Sequence, residues 1–175
     1  MMHEYPVTRS VLLQAQRKAA LMPKSPRNSI REGSGTLVGC IGEIILCRVL
    51  GATLVSPNNP YNFDMLLGNK TYEAKTKECT SIPRPHYFAT VAASNTKQKC
   101  DYYAFLRVLR PKGGDYLKAW VMGWIPKEEF YDLAVFYREG DIDPTSPPGY
   151  SFDFKADCYN VPYSKLRQFK IIQAA

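Results

Sequence analysis

Asp64, Glu73 and Lys75 fall in one short stretch, Asn62 to Lys75, that reads as a tight β-hairpin. Two apolar-rich runs flank Gly68-Asn69, a pair suited to a two-residue turn in which glycine supplies a positive φ. That turn predicts a register with Leu67 opposite Lys70, Leu66 opposite Thr71, Met65 opposite Tyr72 and Asp64 opposite Glu73. Like charges directly opposite one another destabilise a sheet, so two facing carboxylates need a reason to be there. Lys75 lies two residues beyond Glu73 and points to the same face. Two acids and a lysine converging on one face can bind a hard divalent cation and activate a water beside it.

A further carboxylate, Glu43, stands inside an apolar run, Leu37 to Leu50. The pattern predicts a helix from Gly35 to Leu50, with Ser34 as N-cap and Gly51 as the stop. Leu37, Val38, Ile41, Ile44, Ile45, Leu46, Val49 and Leu50 make it apolar nearly all round, as in a buried helix. Gly35, Gly39 and Gly42 are costly in such a helix unless another backbone packs close. An unpaired buried carboxylate is expensive, so Glu43 needs a partner. Either it forms a structural ion pair, to Arg48 or Arg31, or it faces the sheet and joins Asp64 and Glu73 around a metal.

The elements that must position these groups follow from pattern. Residues 9–21 predict an amphipathic helix with Val11, Leu12, Ala15 and Ala19 on one face and Arg17 and Lys18 on the other, ended by Pro23. A basic connector spans 23–33. Strands are expected at 53–56, 62–67, 70–77, from His86 to Val91, from Tyr102 to Leu109 and from Leu117 to Trp124, with a helical turn at 95–100. Lys112 to Asp115 forms the turn between the last two strands. Lys127 to Tyr137 reads as a helix, 139–150 as a Pro-containing loop, Ser151 to Phe154 as a short strand and Ser164 to Phe169 as a short helix. The order indicates an α/β fold around a central mixed sheet flanked by helices, in one domain over 1–175: a core at about 34–125, a basic N-terminal helix and connector at 1–33, and a C-terminal helix, loop and tail at 126–175.

Composition narrows the function. The formal charge of +7 favours a polyanionic partner. Two histidines, His3 and His86, leave no material for a His-rich metal site or a Ser-His-Asp relay. The five cysteines are odd in number and show no C-x-x-C, so neither a disulfide framework nor a zinc site follows. The N-terminus lacks a signal-peptide pattern and the longest apolar run, broken by Glu43 and Arg48, is too short to span a bilayer. A cytoplasmic, intracellular protein without a membrane partner is expected.

The ordered set Gly39-x-x-Gly42-Glu43, Phe63-Asp64 and Glu73-Ala74-Lys75 resembles the PD-(D/E)xK nuclease superfamily, whose restriction-endonuclease-like core carries a Glu on a helix, then an Asp and an E-x-K on successive strands. The resemblance covers roughly residues 35–110. Phe63 stands where the family name has Pro, a position with no chemical role. Gln98-x-x-x-Tyr102 is similar to the Q-x-x-x-Y element of RecB-type and lambda-exonuclease-like members. The resemblance implies Mg²⁺ or Mn²⁺ held by Asp64, Glu73 and the Ala74 carbonyl. Glu43 would hold a water or a second ion, Lys75 would orient the attacking water, and Gln98 would complete the catalytic set. Arg27, Arg31, Arg84, Lys97 and Lys99, with other cations of the N-terminal region, would contact DNA phosphates; Tyr87, Tyr102 and Tyr103 are candidates for stacking on bases. The implied activity is endonucleolytic hydrolysis of duplex or branched DNA. Exonuclease action, RNA hydrolysis, a non-catalytic DNA-binding role and a homodimer stay open. A compact nuclease of this kind would suit a phage or mobile element acting in a bacterial host.

Overall fold

The computed structural model describes residues 3–22, 36–55, 63–95 and 98–170. The connector and its Arg27 and Arg31, the Ser34 cap, Gly35 and Lys97 lie outside the described residues.

The fold is mixed α/β. Among the described residues it has helices α1 (Arg9–Leu21), α2 (Thr36–Leu50) and α3 (Lys127–Leu133). Strands β1 (His3–Pro6), β2 (Thr53–Leu54), β3 (Met65–Leu67), β4 (Lys70–Cys79), β6 (Tyr102–Leu109) and β7 (Lys118–Pro126) form a curled six-stranded sheet in the order β1-β7-β6-β4-β3-β2. Strands β5 (Phe88–Ala92), β8 (Val135–Tyr137) and β9 (Cys158–Pro162) form a small antiparallel sheet, β5-β9-β8. Among the described strands, β4 and β6 alone pair in parallel; the segment between them carries β5 and a 3₁₀ turn at Ala93–Asn95.

Both faces of the large sheet are covered, which explains the nearly unbroken apolar run of β6. Ala104, Leu106 and Val108 pack under α1 and α2, whereas Tyr103 and Phe105 join Val91, Phe130 and Val161 in a second core. Helix α2 buries Ile41, Ile45, Leu46 and Val49 in the first core, as its all-round apolar pattern requires. It approaches β4 closely at Gly42, where an added Cβ would lie 2.0 Å from Thr76 Oγ1. At Gly39 nothing lies within 4 Å, so close packing accounts for one of these glycines and not the other. Gly51, with φ of 63°, ends the helix as expected.

Several boundaries differ from the sequence reading. The helix expected to reach Tyr137 stops at Leu133, because Val135, Phe136 and Tyr137 pair with β9 instead. Near Ser151–Phe154 there is a single bridge, Ile142 to Asp153, and the expected tail helix is a 3₁₀ turn at Tyr163–Lys165. Strands β1 and β9, which periodicity did not indicate, are recruited by pairing with β7 and β5. No described helix is long and apolar enough to cross a membrane.

Candidate functional site

The hairpin has the expected register over three pairs: Met65 with Tyr72, Leu66 with Thr71 and Leu67 with Lys70, around Gly68 at φ 61°. The ladder then stops, and Asp64 does not pair with Glu73 across it. Its N–H still donates to the Tyr72 carbonyl (2.9 Å), but the chain bends, and Asp64 Oδ2 accepts the Ala74 N–H at 2.8 Å. The aspartate side chain thus replaces a backbone acceptor and is fixed against β4. Ala74 sends its N–H, and with it its carbonyl, to the β3 side of the strand, the side of Asp64. On the other side of Asp64, Val55, just past the end of β2, donates its N–H to the Asp64 carbonyl (2.9 Å).

Alternation along β4 divides the charged groups. Thr76 abuts α2 at Gly42, so Tyr72, Ala74 and Thr76 face the helices. Glu73, Lys75 and Lys77 face the second sheet, where Lys77 Nζ donates to Thr90 Oγ1 on β5 (2.9 Å). Glu73 is buried, and its Oε1 receives Lys75 Nζ (2.8 Å) and Gln98 Nε2 (2.5 Å). Gln98 is therefore held against Glu73. Its loop is tied down on both sides. Lys127 Nζ, at the start of α3, donates to the Gln98 carbonyl, and the Lys127 N–H donates to the Asp101 carbonyl (3.0 Å). Asp101 Oδ2 accepts from the N–H (2.9 Å) and hydroxyl (3.0 Å) of Thr71 in the hairpin.

Glu43 arrives from the helical side. Its described partner is not Arg48, which donates to Ser10 Oγ (3.0 Å), but Lys18 of α1, in a largely buried ion pair; Arg31 lies outside the described residues. Lys18 does not sit on the solvent side of α1. Val11 and Ala15 are its most buried residues, and Lys18 follows at seven and three residues, on the same stripe. That spacing was the signal available in the sequence, hidden by the charge at its end.

The acids strain one another. Burial first, then the Glu43 and Glu73 carboxylates, hold Asp64 well above the usual carboxylate range, against the opposing pull of Lys75 and the Ala74 N–H. Burial also raises Glu43, and Lys18 opposes it. Lys18 is itself raised: burial pulls it down, but the charge of Glu43, their hydrogen bond and the charge of Asp64 outweigh that. Burial pushes Cys40, Cys47 and Cys100 up to about 12, which makes them inert thiols rather than nucleophiles.

Hard oxygen donors and mutually repelling carboxylates suit a divalent cation. The buried Gln98 Oε1 also stands beside Glu73 with no hydrogen-bond partner among the described residues. Yet among the described residues no three His, Cys, Asp or Glu side chains gather closely enough to hold an ion by themselves. The residues that could hold one are fewer: Asp64 and Glu73, with the Ala74 carbonyl and water. Magnesium accepts such a set, since it keeps several waters and one or two carboxylates.

No protein-family model and no curated protein matches the chain. Its chemistry therefore has to follow from its own residues. Of the cations expected on DNA, Arg84 and Lys99 are exposed. Arg17, Lys18 and Gln14 line an open groove with Leu21, Ile44, Leu54 and Val55, beside the strand end that carries Asp64. The tyrosines expected to stack on bases are occupied in packing. Tyr103 is in the second core and Tyr102 stacks on Tyr72 with ring centroids 4.9 Å apart, while Tyr87 meets His86 edge-on.

Proposed function

We propose that the chain is a metal-dependent nuclease that hydrolyses DNA phosphodiester bonds, built on a restriction-endonuclease-like core. The observation that carries this reading is the Asp64 carboxylate, pinned to the Ala74 N–H between Glu73 and Lys75 despite the burial and like charge that oppose it. Helix α2 with Glu43, followed by the β2–β3–β4 meander with Asp64 and Glu73-x-Lys75, is the element order of that core.

Mg²⁺ or Mn²⁺ held by Asp64, Glu73 and the Ala74 carbonyl would polarise the scissile phosphate and offset charge on the leaving oxygen. Lys75, paired with Glu73, orients the attacking water and balances charge building on the phosphate. Gln98 fixes the Glu73 carboxylate, and Lys127 and Asp101 fix the loop that presents Gln98. Glu43 lends negative charge from the helical side, neutralised by Lys18. Arg84, Lys99 and Arg17 supply sequence-independent affinity for the phosphate backbone.

A DNA-binding protein without activity would have no use for an Asp64 charge that lowers its own stability, which favours the enzyme. Supercoiled plasmid, linear duplex and branched DNA incubated with Mg²⁺, Mn²⁺ or EDTA provide the test. Metal-dependent nicking of closed circles is expected, which also marks endonuclease action. Absence of cleavage of every DNA and RNA substrate in either metal would overturn the proposal.

A further inference from the structure

We infer, resting on the nuclease reading above, that the site takes one divalent ion rather than two, because the Lys18 ammonium stands in for the second cation at Glu43. The geometry divides the acids. Glu73 and Lys75 lie on the face of β4 turned to the second sheet, and Glu43 comes from α2 on the opposite face. Asp64 stands at the end of the ladder between them, fixed to the Ala74 N–H. An ion at Asp64, Glu73 and the Ala74 carbonyl would therefore leave Glu43 as the carboxylate open to a second ion.

Glu43 is already neutralised. Lys18 Nζ contacts its Oε2, and the two side chains are only 10% and 8% exposed. A second ion would have to displace the ammonium from Glu43, breaking an ion pair largely shielded from water. Lys18 sits on the buried stripe of α1 behind Val11 and Ala15, so its position is set by helix packing. It is a positioning and charge-balancing residue, outside the Glu, Asp and Glu-x-Lys set.

Direct counting of Mn²⁺ bound to the intact protein, by equilibrium dialysis near neutral pH up to millimolar metal, tests this without reference to activity. The wild type and Lys18→Arg are expected to bind one ion per chain, and Lys18→Met two, as Glu43 becomes free to ligate. Glu43→Gln is expected to stay at one ion. Two ions on the wild type, one of them lost in Glu43→Gln, would overturn the inference and leave the nuclease reading intact. A count that stays at one in folded Lys18→Met would overturn it equally. Should Lys18→Met fail to fold, the wild-type and Glu43→Gln counts decide. No ion on the wild type would instead sink the metal site itself, and the inference with it.

Discussion

At Asp64 the proposed function and stability pull in opposite directions. An acid whose folded pKa is raised holds its proton more tightly folded than unfolded, so stability falls as pH climbs from about 4 through the raised value. Asp64→Asn removes that penalty. Its melting temperature should exceed the wild type's at neutral pH, and the gap should close in acid near pH 4, where both side chains are neutral. Melting curves across that range check the sign. Lys18 gives the opposite case. Lys18→Met leaves Glu43 buried without a counter-charge and should cost roughly 3–5 kcal/mol in denaturant unfolding, whereas Lys18→Met with Glu43→Gln should recover most of the loss. The Asp, the Glu-x-Lys and Glu43 were legible in the sequence as residue types. The Lys18 partner was not, because a lysine closing an apolar stripe looks like part of the solvated face beside it.

The hairpin was legible at the scale of elements because turn chemistry and alternation agree there. Its end was not: the register predicts Asp64 opposite Glu73, but the aspartate bends out of the ladder and accepts the Ala74 N–H itself. Local side-chain-to-backbone bonds of this kind compete with sheet pairing, and no period announces them. Strands β1 and β9 were hidden for a related reason, being short segments ordered by partners far along the chain. Contact between α2 and β4 is the element-level support of the site. Gly42→Ala should push the helix off Thr76, cost roughly 1–3 kcal/mol and shift Glu43. Gly39→Ala, meeting nothing within 4 Å, should stabilise by up to about 1 kcal/mol through helix propensity. Denaturant midpoints of the two variants, measured side by side, separate close approach from propensity; equal effects would remove the packing explanation for Gly42.

The described residues build a sheet covered on both faces, with Asp64 where the β3–β4 ladder ends, Glu73 on one face of β4 and Glu43 arriving from the other, in a chain of net charge +7. The mixed α/β class followed from element order, but the second sheet did not, since β8 had been read as the end of a helix. Positive charge predicts DNA binding that weakens steeply with salt. Arg84→Ala and Lys99→Ala should each lower affinity without regard to DNA sequence and reduce the salt slope by about one, read by fluorescence anisotropy of duplex DNA across a salt series. Unchanged slopes would move the DNA path away from these two residues. The most direct test of the site is plasmid cleavage by Asp64→Asn in Mg²⁺ alongside its thermal melt. The account predicts a protein at least as stable as the wild type near neutral pH whose cleavage rate falls by about a hundredfold or more; a folded Asp64→Asn that cuts DNA at the wild-type rate would contradict it.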